Sequence, residues 1–206
     1  TIDHEILLTQ LRDIIDDTDV LDLLEMIIQS YELAPGKGLP LGNQSSQWFA
    51  LYYLNPIDRL IKERFHIRHY TRYMDDLVLI HPNKDVLKRC LAEMRCVLSD
   101  ELKLEFNAKT QIFPLQNGID YLGFHFYLST SGKVIRKVRN RTKRKFKRRL
   151  KQLSYEYSRG ESSIEDIRQV LASYRGHLSF GNCYRFLRHV LSKFILKPNR
   201  QGEASS

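Results

Sequence analysis

Two neighbouring carboxylates, Asp75 and Asp76, lie within the stretch Tyr70-Thr71-Arg72-Tyr73-Met74-Asp75-Asp76-Leu77-Val78-Leu79-Ile80. Adjacent like charges repel, and desolvating them without a counter-charge is costly. Two chemistries suit such a pair. Aspartate caps local backbone at turns, which gives a solvated hairpin tip. Paired hard oxygens also suit Mg²⁺, which gives a divalent-metal site. The flanks specify the element that presents the pair. Ile67, Tyr70, Thr71 and Tyr73 are β-branched or aromatic types that favour strands. Leu77 to Ile80 is a continuous apolar run, short enough for a buried strand. The pattern predicts a tight hairpin with Met74, Asp75 and Asp76 at its tip.

A second chemical feature is cationic. The 206-residue chain carries a formal net charge of +9, which favours an acidic partner, most simply nucleic acid. The charge is unevenly spread. Up to Pro35 the chain is acidic, with Asp3, Glu5, Asp13, Asp16, Asp17, Asp19, Asp22, Glu25 and Glu32 against a lone Arg12. From Tyr121 to Tyr155 there is no acid, while Arg141, Lys143, Arg144, Lys145, Lys147, Arg148 and Arg149 crowd into one segment. Such a run can be a solvated helix face, but its self-repulsion destabilises a helix unless a polyanion is near. Phosphate-backbone contact is therefore the favoured reading.

Several elements must hold these groups. Ile6, Leu7, Leu11 and Ile14 predict a first helix with Asp3 as its N-cap. A second helix is expected after Thr18, with Val20, Leu23, Leu24, Ile27 and Ile28 on one face. The stretch Ala34 to Gln47, with three glycines and two prolines, predicts a shaped loop. It leads into a helix carrying Trp48, Leu51, Tyr52, Leu54, Ile57, Leu60 and Ile61. Free backbone N–H groups at that helix start can meet a phosphate or base; a capped turn before a core helix fits equally well.

Val86, Leu87, Cys90, Leu91, Met94, Val97 and Leu98 predict an amphipathic helix. Leu102 to Phe106 alternates as a strand, Lys109 sits on a short link, and Gln111-Ile112-Phe113 reads as a further strand. A hairpin-like segment, Ile119 to Tyr127, comes after the turn Gln116-Asn117-Gly118. The fold class is α+β, a small antiparallel sheet with helices. Beyond Ser129-Thr130-Ser131-Gly132 the texture becomes helical: a basic helix with the stripe Phe146, Leu150 and Leu153, a helix capped by Ser162 or Ser163, and a third around Phe186 to Phe194. The expected domains are 1–128 and a basic three-helix unit 133–196, with a disordered tail 197–206.

No apolar run is long enough to cross a bilayer, so no membrane partner is expected. Cys90 and Cys96 read as core thiols of a reducing, cytoplasmic protein. His4, His125 and His177 lack ligand spacing and read as structural.

Taken in order, these pieces resemble a reverse transcriptase. Tyr73-Met74-Asp75-Asp76 resembles the catalytic box of that family. Gly38 to Gln47 is similar to its nucleotide-pocket motif, and the helix ending Asn55-Pro56-Ile57-Asp58 comes next as expected. Lys109 falls where the family has a lysine motif, although on residue type alone it reads as a solvated loop lysine. Tyr121-Leu122-Gly123-Phe124 is similar to the primer grip, although plain strand core describes it as well. The opening Thr1 to Leu7 is similar to the residues just after the family's first catalytic motif. The likeness covers nearly the whole chain in collinear order. The pair Leu41-Gly42 with Ser46-Gln47 is more similar to the diversity-generating retroelement branch than to group II intron enzymes; a group II intron or defence-associated reverse transcriptase is the alternative within the family. The segment Ala172 to Leu178 with Gly181-Asn182 is similar to thumb segments of that branch.

The resemblance implies a partial right-hand polymerase palm followed by an α-helical thumb. It implies a nucleotidyltransferase that copies template RNA from a primer strand into cDNA using dNTPs, error-prone in that branch and aided by an accessory protein. Two Mg²⁺ ions, with Mn²⁺ as a substitute, would stabilise the attacking and leaving oxygens. Asp75 is expected to ligate directly and Asp76 to support or ligate more weakly. Lys109 would protonate or neutralise the leaving pyrophosphate. Leu41, Gly42, Ser46, Gln47, Tyr73 and Met74 would shape the nucleotide and template pocket, with Leu41 as a loop anchor otherwise. The family's first catalytic aspartate lies upstream of the segment matching Thr1 to Leu7. The chain is therefore expected to be a palm fragment plus thumb, inactive alone. The alternative class is a non-catalytic nucleic-acid-binding module whose Asp pair is only a turn.

Overall fold

A computed structural model describes residues 1–40 and 42–196. The expected tail 197–206 and the expected pocket residue Leu41 lie outside the described residues. The chain divides into two compact units between Ile112 and Phe113, and each has its own apolar core.

In the first unit, α1 (His4–Arg12) starts on Asp3, whose side chain accepts the amide of Ile6, the N-cap that the sequence predicts. Its start is stitched to the glycine-rich loop: His4 N–H donates to Gly36 O, Gly38 N–H donates to Ile2 O, and the buried His4 ring bonds Gly38 O through Nε2 at 3.0 Å. At Gly38, a Cβ would lie 2.9 Å from the Leu33 backbone nitrogen, so the close approach of these stretches of loop requires glycine. Next, α2 (Thr18–Gln29) is capped by Asp17. Its buried side differs from the expected one. Ile28 is buried with Leu21, Leu24 and Ile27 beside it, whereas Val20 and Leu23 are exposed.

The next helix is broken between α3 (Gln44–Tyr53) and α4 (Asn55–Arg59), because Pro56 cannot donate to the preceding turn, and α4 runs into a π-helical turn, Leu60–Arg64. Phe49, Tyr53, Ile57 and Ile61 line its buried face, while Trp48 is 67 % exposed. The antiparallel strands β1 (His69–Tyr73) and β2 (Asp76–Ile80) come next. Then α5 (Lys84–Cys96) buries Cys90 and Met94 and runs into a π turn, Val97–Glu101. Burial beside Glu93 pushes the Cys90 thiol up to about 11. Cys96 is exposed, correcting the expectation of two core thiols.

Leu102 to Phe106 keeps its alternation of inward and outward side chains but pairs with no strand among the described residues. Gln111-Ile112-Phe113 forms no strand either, running into Pro114 and a 3₁₀ turn, Leu115–Asn117. In both cases the apolar residues pack or lie without the backbone partner that a ladder needs.

Tyr53 ties this unit together. Its fully buried hydroxyl donates to Leu102 O at 2.6 Å, and burial pushes the phenol up to about 12. The folded state thus holds the proton more tightly than an unfolded tyrosine, near pH 10. The associated stability is complete below pH 10 and is lost as pH rises through about 12, because the unfolded chain ionises first. Tyr53→Phe should cost about 1–2 kcal/mol at pH 8, from the carbonyl left unpaired. Urea unfolding at pH 8 and pH 11.5 checks this: the gap between wild type and variant should narrow at the higher pH.

The second unit begins with a three-stranded antiparallel sheet of β3 (Ile119–Tyr121), β4 (Phe124–Leu128) and β5 (Val134–Val138). Leu122 and Gly123 connect β3 to β4 with φ of 48° and 84°, the primed two-residue turn that suits twisted strands. Strand β5 corrects the expected three-helix unit 133–196, since its residues pair with β4. Because that pairing joins 119–128 to 134–138, the boundary falls at 112/113 rather than near 128. Three helices complete the unit: α6 (Asn140–Ser158), α7 (Ile164–Ser179) and α8 (Tyr184–Leu191). Phe146, Leu150 and Leu153 of α6 are buried as their spacing predicts, and Ser163 with Asp166 forms a capping box on α7. The hydrogen bonds from Ser163 hold the Asp166 carboxyl below its ordinary range.

Candidate functional site

The hairpin sorts its side chains by strand alternation. Tyr70 and Arg72 stand opposite Leu79 and Leu77, and Tyr70, Leu77 and Leu79 pack on the core of the first unit. His69, Thr71 and Tyr73 therefore share the other face with Ile80, Val78 and Asp76. Tyr73 and Asp76 are directly opposed across the ladder, with Tyr73 57 % exposed.

The loop between the strands is two residues, Met74 and Asp75. Asp76 thus belongs to β2, a small correction to the expected three-residue tip. Met74 has φ of 54°, left-handed backbone that costs an L-residue roughly 1–2 kcal/mol. Side chains opposite this turn hold it. Arg72 donates through Nε to Asp58 Oδ1 at 2.9 Å and through Nη2 to Asp58 Oδ2. It also donates through Nη1 to Met74 O at 3.2 Å and through Nη2 to Leu51 O at 3.1 Å. The Tyr70 hydroxyl donates to Asp58 Oδ1. Burial first, then the hydrogen bond to Asp58, pushes the Tyr70 phenol well above its ordinary value. The Asp58 hydrogen bond likewise holds Arg72 above its ordinary value. Nothing in the sequence links Asp58 to Arg72, fourteen positions apart; Asp58 enters the sequence reading only as the end of the helix after the pocket-like motif, and neither residue is assigned a role in the site there.

Asp75 and Asp76 are both exposed. Among the described residues neither is paired with a Lys or Arg, and Arg72 is engaged by Asp58. Two adjacent, exposed carboxylates with no bonded cation form a donor set that fits a hard divalent ion. No group of three His, Cys, Asp or Glu comes together among the described residues, so the doublet supplies part of an oxygen shell.

The other expected site residues are spread over both units. Gly42, at the end of the glycine-rich loop, and Gln47, in the first turn of α3, are both exposed. The Ser46 hydroxyl donates to Pro40 O at 2.7 Å, closing the loop on itself. Asn43, the N-cap of α3, makes no side-chain bond to the helix, which leaves the first amides of α3 without that cap. Lys109 is exposed on a turn in which its own N–H donates to Asn107 Oδ1. In the second unit, Leu122 is 43 % exposed at the β3–β4 turn, whereas Phe124 is buried and lies 5.2 Å from the His177 ring. His125 bonds Asp120 at 2.7 Å. His4, His125 and His177 are thus each engaged in packing or hydrogen bonding.

On α6, Arg144, Lys145, Lys147 and Arg148 are exposed, as is Arg141 at its first turn. Lys143 and Lys147 lie over the Phe186 ring at 5.6 and 5.9 Å, a contact that steadies their stems. Arg149 differs from its neighbours, being paired with Glu156 at 3.1 Å.

A sequence profile of the family described as Reverse transcriptase (RNA-dependent DNA polymerase) matches residues 1–126. The chain belongs to the reverse transcriptase family. The matched segment covers the first unit whole and ends within β4, so it includes the glycine-rich loop, the Asp75-Asp76 hairpin and the Tyr121–Phe124 turn. A search of curated proteins returns no match. Reverse transcriptases are nucleotidyltransferases that act on a nucleic-acid template with dNTPs and use divalent metal ions. Among the described residues of this reverse transcriptase chain, no helix is long and apolar enough to cross a membrane.

Proposed function

We propose that the chain carries part of the active site of an RNA-directed DNA polymerase, with Asp75 and Asp76 as divalent-metal ligands. The observation that carries this reading is the exposed carboxylate doublet on a two-residue turn, with the neighbouring guanidinium directed to Asp58 instead. Bound Mg²⁺, or Mn²⁺ in its place, would stabilise charge on the reacting phosphate oxygens. Asp75, on the turn itself, is the direct ligand. Asp76, held by the ladder opposite Tyr73, is the supporting one. Tyr73 and Met74 form the adjoining wall, and Gly42, Ser46 and Gln47 with the start of α3 shape the nucleotide and template pocket. Lys109 neutralises or protonates the leaving pyrophosphate.

The Leu122-Gly123 tip with Tyr121 steadies the primer strand, while Phe124 anchors that turn in the core. The exposed cations of α6 meet the phosphate backbone. The Leu41-Gly42 and Ser46-Gln47 forms support assignment to the diversity-generating branch, hence error-prone copying and an accessory protein partner. Tight binding to a primed RNA template that requires Mg²⁺ or Mn²⁺, and that Asp75→Asn abolishes, is the expected result. Binding indifferent to both would instead favour a non-catalytic nucleic-acid-binding module.

A further inference from the structure

Arg72 is an unusual neighbour for a metal-binding turn, because a free guanidinium beside two carboxylates would compete with the ion. Its side chain is only 12 % exposed. It stands on the core-facing side of the hairpin, with Tyr70 and opposite Leu77. There one guanidinium joins three elements: the Asp58 carboxylate of α4, the Leu51 carbonyl of α3 and the Met74 carbonyl of the turn. The last of these bonds fixes the peptide plane between Met74 and Asp75. That plane sets where the Asp75 side chain leaves the backbone, at a residue whose predecessor is held in left-handed conformation. The Tyr70 hydroxyl on the same Asp58 oxygen fixes the carboxylate that orients the guanidinium.

We propose that Arg72, oriented by Asp58 and Tyr70, is a positioning residue that holds the Met74-Asp75 turn in its metal-binding form. The inference rests on the reading of Asp75 and Asp76 as metal ligands. A planar fork is required, since it must satisfy both oxygens of Asp58 and two carbonyls together; the single ammonium of a lysine cannot. Charge alone is therefore insufficient.

The test uses the 206-residue chain with Arg72→Lys, which keeps charge and most of the stem, and Asp58→Asn, which keeps shape. Two readouts are taken on variants that retain a cooperative melt: the Asp75 backbone amide in metal-free ¹H–¹⁵N spectra, and Mn²⁺ affinity by electron paramagnetic resonance. Both variants should shift or broaden the Asp75 amide and weaken Mn²⁺ binding about tenfold, as supporting partners of metal ligands do. A purely structural role would lower the melting temperature and leave both readouts unchanged in the folded fraction. If either folded variant keeps the wild-type Asp75 amide and Mn²⁺ affinity within about twofold, the clamp is refuted. Asp75→Asn in the same titration separates the two readings: if it leaves Mn²⁺ binding intact, the metal assignment fails, whatever the amide spectra show about the turn.

Discussion

Asp75→Asn is expected to weaken Mn²⁺ or Mg²⁺ binding by about 100-fold or more and to leave the fold intact. Asparagine is close in shape and tolerates turns, so the two-residue loop persists. It removes one of two adjacent negative charges, which relieves repulsion. An exposed substitution of this kind shifts stability by only about 0.5 kcal/mol either way. Metal affinity should thus fall while the melting temperature holds or rises slightly. Asp76→Asn should give a smaller loss, about tenfold, because Asp76 is placed by β2 pairing as a second oxygen source. Isothermal titration with Mn²⁺ beside thermal melts measures both quantities. Equal, small losses for the two variants would contradict the unequal roles assigned to them.

Removing the cations Arg144, Lys145 and Arg148 together should have the other large effect. All three are exposed on α6, and the helix carries like charges at i, i+4 from Arg141 to Lys145 and from Arg144 to Arg148. Each phosphate contact adds about 0.9 to the slope of log affinity against log salt on duplex. Alanine at all three sites should therefore flatten that slope by roughly 3 and weaken binding at about 0.1 M salt by about two orders of magnitude. Arg149→Ala serves as the internal comparison. Arg149 is already paired with Glu156, so its loss should change the slope little. Fluorescence anisotropy on an RNA–DNA duplex across a salt series reads both numbers, and a triple variant with wild-type slope would remove α6 from the interface.

Local signals made much of this molecule legible in advance. Asp3 and Ser163 cap their helices because a short polar side chain before an apolar period satisfies free amides without tertiary help. The hairpin around Asp75 and the apolar stripe of α6 are set by nearest-neighbour patterns. The errors fall where a pattern reports only one side of an interaction. Leu102 to Phe106 alternates because one face is buried, but alternation does not provide a partner strand. Arg136 and Lys137 in β5 carry charges that blend into the basic helix downstream and hide a strand between Val134 and Val138. On α2 the apolar residues are so numerous that the sequence does not say which stripe faces the core. The Arg72–Asp58 pair is invisible from either residue, since only the folded hairpin brings it together. In the candidate site, the two acids stand out by type and spacing, but what holds their turn does not.

The most direct test of the metal assignment is an anomalous difference map from crystals of this chain soaked in Mn²⁺. A peak is expected at the Met74-Asp75 turn, about 2.0–2.6 Å from carboxylate oxygens of Asp75 and Asp76, the range of hard cations on such ligands. A map with Mn²⁺ bound elsewhere and none at the turn, or with Asp75 folded onto a lysine or arginine, would contradict the assignment.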